Sequence, residues 1–478
     1  MTLLLLALVW LIGCGLVRWM LPGPRGWSLH NCFIVSIGAG IGMGIASSLY
    51  FLCLAFFGPR IPVLAAVAGV ALVAAVLLGM LVKRRGTLLE WASGEATPWY
   101  LTGAFGLALV TAVAIFVVYA LTKPHGEWDA WSIWNLRARF LVRAGEFWRD
   151  AFSSQLDWSH PDYPLMLPGI VAMCWTLAGS EATLAPAAVA FLFTFSTAGV
   201  LVATLGALRG KTQAFIAGIL LLGSISLLVN GANQYADIPL GCFILSTLAL
   251  LCLQERSPDD LRFSILAGLT AGFAAWTKNE GLLFVVALIA ARVWAMLRFG
   301  NRQAWKSQLL KFATGFLAPL AVIVLFKLRF APPNDLLSRQ PHQIVEHLAT
   351  MSRWIFAIQS FVTAPFVIGN FLIPVVLVLA LYWFLVRFKV EPRDRPAVAT
   401  ILMALALTLA GEFAVYVALP GDIQWQVHTS IDRLLLQLWP SGMLAFFLAA
   451  NQLQLAPKLK APAKTDEKGK RAPKASRA

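Results

Sequence analysis

Apolar runs of about 20 residues, the length a helix needs to cross the hydrocarbon core of a bilayer, recur from one end of this 478-residue chain to the other. No other feature constrains the fold as strongly. Lipid offers no hydrogen-bond partners, so each crossing run must satisfy its own backbone N–H and C=O groups, and a helix does that. The composition agrees, with 59% hydrophobic and only 13% charged residues, against roughly 25% charged in soluble domains. The expected fold is an all-α polytopic membrane protein, built as one integral domain with no soluble core outside the runs.

Candidate spans fall at roughly 1–21, 31–57, 61–82, 100–121, 163–179, 183–208, 213–229, 236–253, 262–278, 281–298, 311–330, 366–387, 398–419 and 434–453. Basic clusters at Lys83-Arg84-Arg85, from Arg256 to Arg262, from Arg298 to Lys311, from Arg387 to Arg395 and at the C-terminus mark the cytoplasmic side. The start Met1 to Leu21 reads as a retained helix with its N-terminus outside, because it lacks a basic n-region and Arg18 and Arg25 lie at its far end. Counting forward from that end and backward from a cytoplasmic C-terminus gives answers one crossing apart between residues 163 and 230. Either 163–179 or 213–229 therefore falls short of a full crossing, which leaves about 13 spans. With that correction every conspicuous polar cluster lies on the external face, as do two long loops, 122–162 and 331–365.

The net charge of +15 suggests no nucleic acid. Much of it sits in short loops and in the tail "KLKAPAKTDEKGKRAPKASRA", a disordered cytoplasmic end at 454–478 that anionic membrane lipids attract. The cysteines Cys14, Cys32, Cys53, Cys174, Cys242 and Cys252 lie in or beside apolar runs without metal-ligand spacing and read as packing residues. Glycines in "GAGIGMG", Gly38 to Gly44, sit inside an apolar span with no strand before them. Close helix packing explains them better than a dinucleotide loop does.

The first external loop, "HGEWDAWSIWNLRARFLVRAGEFWRD", alternates Trp128, Trp131, Trp134 and Leu141 with Asp129, Asn135, Arg137, Arg139 and Arg143. That is the composition of a helix lying in the membrane interface, with tryptophans at headgroup level and arginines on phosphates. Asp129 does not fit, since headgroup phosphates repel an anion that nothing pairs. Further polar clusters share the difficulty: "SHPDYPLMLP" from Ser159, "NQYADIP" from Asn233, "TKNEGL" from Thr277 and "VHTSIDRLLLQLWP" from Val427. Each alone has an ordinary reading, with Asp237 as a helix cap, His160 and Asp162 in a Pro-rich turn and Lys278 snorkelling. Together, on one face, they point to a water-accessible cavity.

Their order along the chain resembles the integral-membrane GT-C glycosyltransferases, which include protein O-mannosyltransferases and aminoarabinose transferases to lipid A. An external acid after a long span precedes interfacial helices, a His/Pro-rich helix entry, an Asp-x-Pro element, a Lys-x-x-Gly hairpin and a late external Arg. The likeness covers residues 100–453 and leaves 1–99 as N-terminal accessory helices. The adjacent Asp-Glu pair of the protein O-mannosyltransferases is replaced here by Glu127-Trp128-Asp129, which counts against a protein acceptor.

The resemblance implies a sugar moved from a polyprenyl-phosphate donor to an acceptor hydroxyl on a lipid or glycan, with inversion. It requires no cofactor and no metal, and suits a bacterial inner membrane with the site facing the periplasm. Asp129, or failing it Glu127, is the candidate base. Lys278 and Arg433, with Arg137 or Arg139 as substitutes, are the candidate phosphate ligands. His160 and Asp162 are candidates to orient sugar or acceptor, and Asp237 to fix Lys278 or hold a sugar hydroxyl. Tyr163, Glu280 and His428 complete the candidate substrate-binding set. Two other classes stay open. A lipid transporter or flippase would be marked by paired internal repeats, and none is visible. A ligase using a lipid diphosphate would draw on His342, His347 and Arg353 in the second loop.

Overall fold

A computed structural model describes residues 1–22, 28–59, 69, 97–300, 305–334, 341–371, 374–418 and 421–453. The expected span 61–82, the basic cluster Lys83-Arg84-Arg85 and the tail 454–478 fall largely or wholly outside the described residues. Among those residues the chain is helical throughout, with one isolated β-bridge between Phe388 and Ala450 and no strand.

The first elements are α1 (Thr2–Met20), α2 (Leu29–Phe57) and α3 (Trp99–Thr122). A π-turn at Ala130–Trp134 runs into α4 (Asn135–Arg143). Then come α5 (Met166–Ala178), α6 (Leu184–Arg209), α7 (Lys211–Leu222), α8 (Ile225–Ala232) and α9 (Asp237–Arg256). Next are α10 (Arg262–Thr277), α11 (Asn279–Phe299), α12 (Trp305–Arg329), α13 (Pro341–Ala349) and α14 (Met351–Val367). The chain closes with α15 (Val375–Val386), α16 (Arg395–Ala418) and α17 (Ile423–Ala449).

Among the described residues, nine helices are long and apolar enough to cross a membrane, or ten if the bent pair α7 and α8 counts as one span. The sequence reading expects about 13; run 61–82 lies almost wholly outside the described residues, run 434–453 is only the later part of α17, and the counted helix Met351–Asn370 falls largely in the stretch 331–365 expected as an external loop. Run 163–179 becomes α5, whose 13 residues reach only about 20 Å, short of the roughly 30 Å of hydrocarbon. Run 213–229 breaks after Gly223: Ser224 Oγ accepts the N–H of Leu227 at 3.3 Å and starts a new helix, bent 59° from the first. Both segments suspected of an incomplete crossing are therefore irregular. Run 262–278 forms a helix of 16 residues, α10, and run 366–387 keeps only the 12 residues of α15.

Helix α9 forms the centre of the bundle, packed by α2, α6, α10, α16 and α17. Its apolar stretch is buried throughout, whereas only 11% of that of α3 is, so α3 faces lipid and α9 does not. The glycines of α2 are its packing face, as their sequence context implies. A Cβ on Gly42 would meet Val9 O of α1 at 2.1 Å, and one on Gly44 would meet the ring of Phe273 in α10 at 2.5 Å. Side chains of α2 also reach deep into the bundle: Ser47 Oγ donates to Leu165 O at 3.0 Å and accepts from Trp276 Nε1 at 3.2 Å. In space, the N-terminal helices are continuous with the rest.

Candidate active site

The first loop does not form one amphipathic helix lying on the surface. Gly126 adopts φ +74°, and a Cβ there would sit 2.6 Å from Asn233 O, so the chain can cross the turn between α8 and α9 only with glycine at this point. The N–H of Glu127 donates to Asn233 O at 3.2 Å and Asn135 Nδ2 to Gln234 Oε1 at 2.9 Å, which fastens the loop there. Trp128 and Trp131 stay exposed, with rings 4.6 Å apart, while Trp134 turns inward. Asp129 stands at the entrance to the π-turn, a helix type that recurs at functional sites.

Asp129 has a partner. Its Oδ2 accepts a short, charge-assisted hydrogen bond from Arg433 Nη1 of α17. The same Nη1 lies 3.9 Å from Asp237 Oδ2 at the head of α9. Asp237 does not cap its helix; its Oδ1 accepts from Lys278 Nζ at 3.0 Å and from Gln437 Nε2 at 2.6 Å. Lys278 does not snorkel to a surface. It occupies an extended break, φ −148° and ψ 161°, between α10 and α11, and its ammonium also meets Glu280 Oε1 at 2.7 Å. Residues distant in the chain thus form one cluster, Asp129–Arg433–Asp237–Lys278–Glu280. Side-chain exposure falls from about a fifth at Asp129 and Arg433 to 4% at Asp237, so the cluster has a wet edge and a dry floor.

Tyrosines line it. Arg433 lies over the ring of Tyr235 at 4.7 Å, and Lys278 Nζ is 5.9 Å from the ring centroid of Tyr163. Burial, reinforced by the charge of Asp129, pushes the Tyr235 phenol up to about 12. Burial, with Glu280 next, holds Tyr163 well above its usual range. Both are neutral phenols at physiological pH. His160 adopts φ 48° and stacks on Tyr163 at 5.0 Å, leaving the cluster itself to its neighbour.

The other candidates lie elsewhere. Asp162 is buried and forms a second knot, its Oδ2 accepting from Asn279 Nδ2 at 2.7 Å and Asn334 Nδ2 at 2.8 Å. Lys327 Nζ donates to Asp162 O at 2.6 Å and Asn279 Oδ1 at 2.8 Å. Arg137, expected near phosphate, is fully buried; it donates to the carbonyls of Tyr163 and Ile133 and so braces the Tyr163 turn from behind. Arg139 pairs with Glu181 at 3.4 Å, Glu127 pairs with Lys123, and His428 is exposed. Arg353, one of the ligase candidates, donates to the carbonyls of Tyr416, Val417 and Gly421 at the end of α16. A shallow crevice lined by Leu251, Leu288, Arg292 and Gln308 lies toward the opposite ends of α9 and α11.

Gln437, Lys327, Asn334 and Glu412 escaped the sequence reading. Glu412 had a signal, since it is the one charged residue in the run 398–419, and an acid inside a span calls for a reason. Among the described residues no group of three or more His, Cys, Asp or Glu is placed to hold a metal ion.

Residues 161–326 match the dolichyl-phosphate-mannose-protein mannosyltransferase family. The match takes in Asp162, Tyr163, Asp237, Lys278 and Glu280, and it supports a membrane glycosyltransferase of the GT-C type. No curated protein and no solved structure gives a significant match to the chain.

Proposed function

We propose that the protein transfers a sugar from a polyprenyl-phosphate donor to an acceptor hydroxyl on a lipid or glycan, at the outer face of a bacterial inner membrane and with inversion. The contact of Asp129 with Arg433 carries this reading, because it ties the first loop to the Lys278–Asp237 pair and brings a carboxylate beside two cations.

In the reaction, the acceptor oxygen attacks the anomeric carbon, its proton passes to the Asp129 carboxylate, and the bond from the anomeric carbon to the phosphate oxygen breaks. A single displacement needs no carboxylate nucleophile. Charge grows on the departing lipid phosphate, where Lys278 and Arg433 stabilise it in a site of low dielectric. The Asp129–Arg433 pair couples the two events. Once Asp129 takes the proton its hold on the guanidinium weakens, and Arg433 is released toward the phosphate, which it can engage through two N–H groups. Asp237 keeps Lys278 in place, and Gln437 keeps Asp237 in place. The reaction as drawn uses no cofactor.

The test is Asp129→Asn in purified protein supplied with a polyprenyl-phosphate sugar and membrane extract as acceptor. The amide cannot take the proton, and general-base catalysis is worth about 10²–10⁴-fold. Transfer should fall by that factor while melting temperature and donor binding hold. Unchanged transfer would exclude Asp129 as the base. Lipid movement in liposomes without a covalent product would favour a transporter instead.

A further inference from the structure

The turn between α8 and α9, residues 233–236, grips the first loop on both sides of Asp129. Gln234 is buried there, and both ends of its amide are engaged: Oε1 accepts from Asn135 Nδ2 at 2.9 Å and Nε2 donates to Pro124 O at 3.2 Å. Pro124 precedes Asp129 in the chain and Asn135 follows it, so one side chain brackets the candidate base. The bond from the Glu127 N–H to Asn233 O, at 3.2 Å, adds a third point between them. The next residue, Tyr235, lies under the Arg433 guanidinium at 4.7 Å. The same turn therefore touches the loop that carries Asp129 and the cation that Asp129 meets.

Gln234 is held at φ +61°, in the left-handed region that side chains other than Gly, Asn and Asp rarely enter. Such strain persists only where the surroundings over-determine it, and it gathers at functional sites. Glycine would take this conformation freely, but it would give up the whole side-chain grip on the loop. The Asp129–Arg433 pair cannot replace that grip, because both side chains are about a fifth exposed and a partly solvated ion pair is a weak anchor. We infer that Gln234 is a positioning residue: by holding Pro124 and Asn135 at once, it fixes the Asp129 carboxylate in one place beside Arg433, where the acceptor hydroxyl must meet it. This rests on the function proposed above and adds to it a residue that acts on the base through the loop, without touching donor or acceptor. The effect on rate is large because misplacing a reacting group by 1 Å costs about 10²-fold.

The experiment uses the full-length protein in lipid nanodiscs and two readouts, transfer from a polyprenyl-phosphate sugar to membrane extract and hydrogen exchange of the segment 124–135. Gln234→Gly preserves the turn, since glycine accepts the same φ, and removes the grip alone. Turnover per folded molecule at saturating donor should fall about 10- to 100-fold, the donor KM should stay within about twofold, and the segment should exchange faster. Asn135→Leu should act in the same direction, and adding it to Gln234→Gly should cost little more, because the two changes break one shared bond. Should Gln234→Gly fail to fold, Asn135→Leu alone carries the expectation. A residue that only stabilises the fold would lower the folded fraction and leave turnover per folded molecule where it was. Turnover within about threefold of wild type, a loss confined to the donor KM, or losses that multiply in the double variant would each overturn the inference. A wild type that transfers no sugar would instead overturn the function proposed above; the exchange readout still decides the grip, and unchanged exchange in Gln234→Gly would remove Gln234 as the anchor of the loop.

Discussion

Helix α9 carries an ionic cluster at each end, and the two are built to different ends. At its head, Asp237 joins Asp129, Glu280, Lys278 and Arg433. At its foot, Arg256 meets Asp394 at 2.9 Å, Asp394 meets Arg209 at 3.2 Å, and Arg209 meets Glu391 at 3.6 Å. The 20 residues between them span about 30 Å, roughly one hydrocarbon thickness. The lower cluster is balanced in charge, two arginines to two carboxylates. Both of its carboxylates face an arginine, and Arg209 and Gln213 also donate to the last carbonyls of α17, on Leu448 and Phe447. The upper cluster has three carboxylates to two cations, and Glu280 Oε2 is buried without a partner. A balanced network stabilises the bundle; one with surplus negative charge has acceptors left for a ligand's donors.

That contrast can be broken by substitution. Lys278→Met should produce the largest loss, about 10²–10³-fold in transfer rate, the usual effect of removing one group that stabilises transition-state charge; a rate within tenfold of wild type would remove Lys278 from the mechanism. Asp394→Ala should show the opposite pattern. It strands buried arginines and should lower unfolding stability by about 3–5 kcal/mol, while activity per folded molecule, from transfer assays normalised to the folded fraction, stays within about twofold. Gln437→Leu should be milder, about 3- to 10-fold slower, since Asp237 keeps both cations and loses one hydrogen bond; rescue by Gln437→Asn would show positioning rather than bulk. Arg143→Ala removes an exposed partner of Glu181 and should leave transfer and melting temperature unchanged, since such surface pairs contribute little.

The fold class was legible because hydropathy alone forces helices in lipid. The span count was less so, since a break such as that at Gly223–Ser224 depends on one cap, and the lengths of α5 and α15 depend on packing. Within the site, Asp129, Asp237, Lys278 and Arg433 stood out as polar residues at apolar margins that no local role fully explained. Their pairing could not be read, because the Asp129–Arg433 contact joins positions 304 residues apart and Asp237–Gln437 positions 200 apart. Arg137 and Arg139 misled for a related reason. An arginine among tryptophans looks the same in sequence whether it meets a headgroup, a carbonyl or Glu181. Gln437 gives no local signal at all, being an uncharged residue within an apolar helix.

Because neighbouring helices shield α9 from lipid on every side, the bilayer has no direct grip on it. It acts as a fixed post, and the altitude of the upper cluster above the lower one is a property of the protein. Thinner or thicker membranes should be absorbed by tilting of peripheral helices such as α3, so that the depth at which substrates must present themselves stays constant while the surrounding lipid adjusts to meet it.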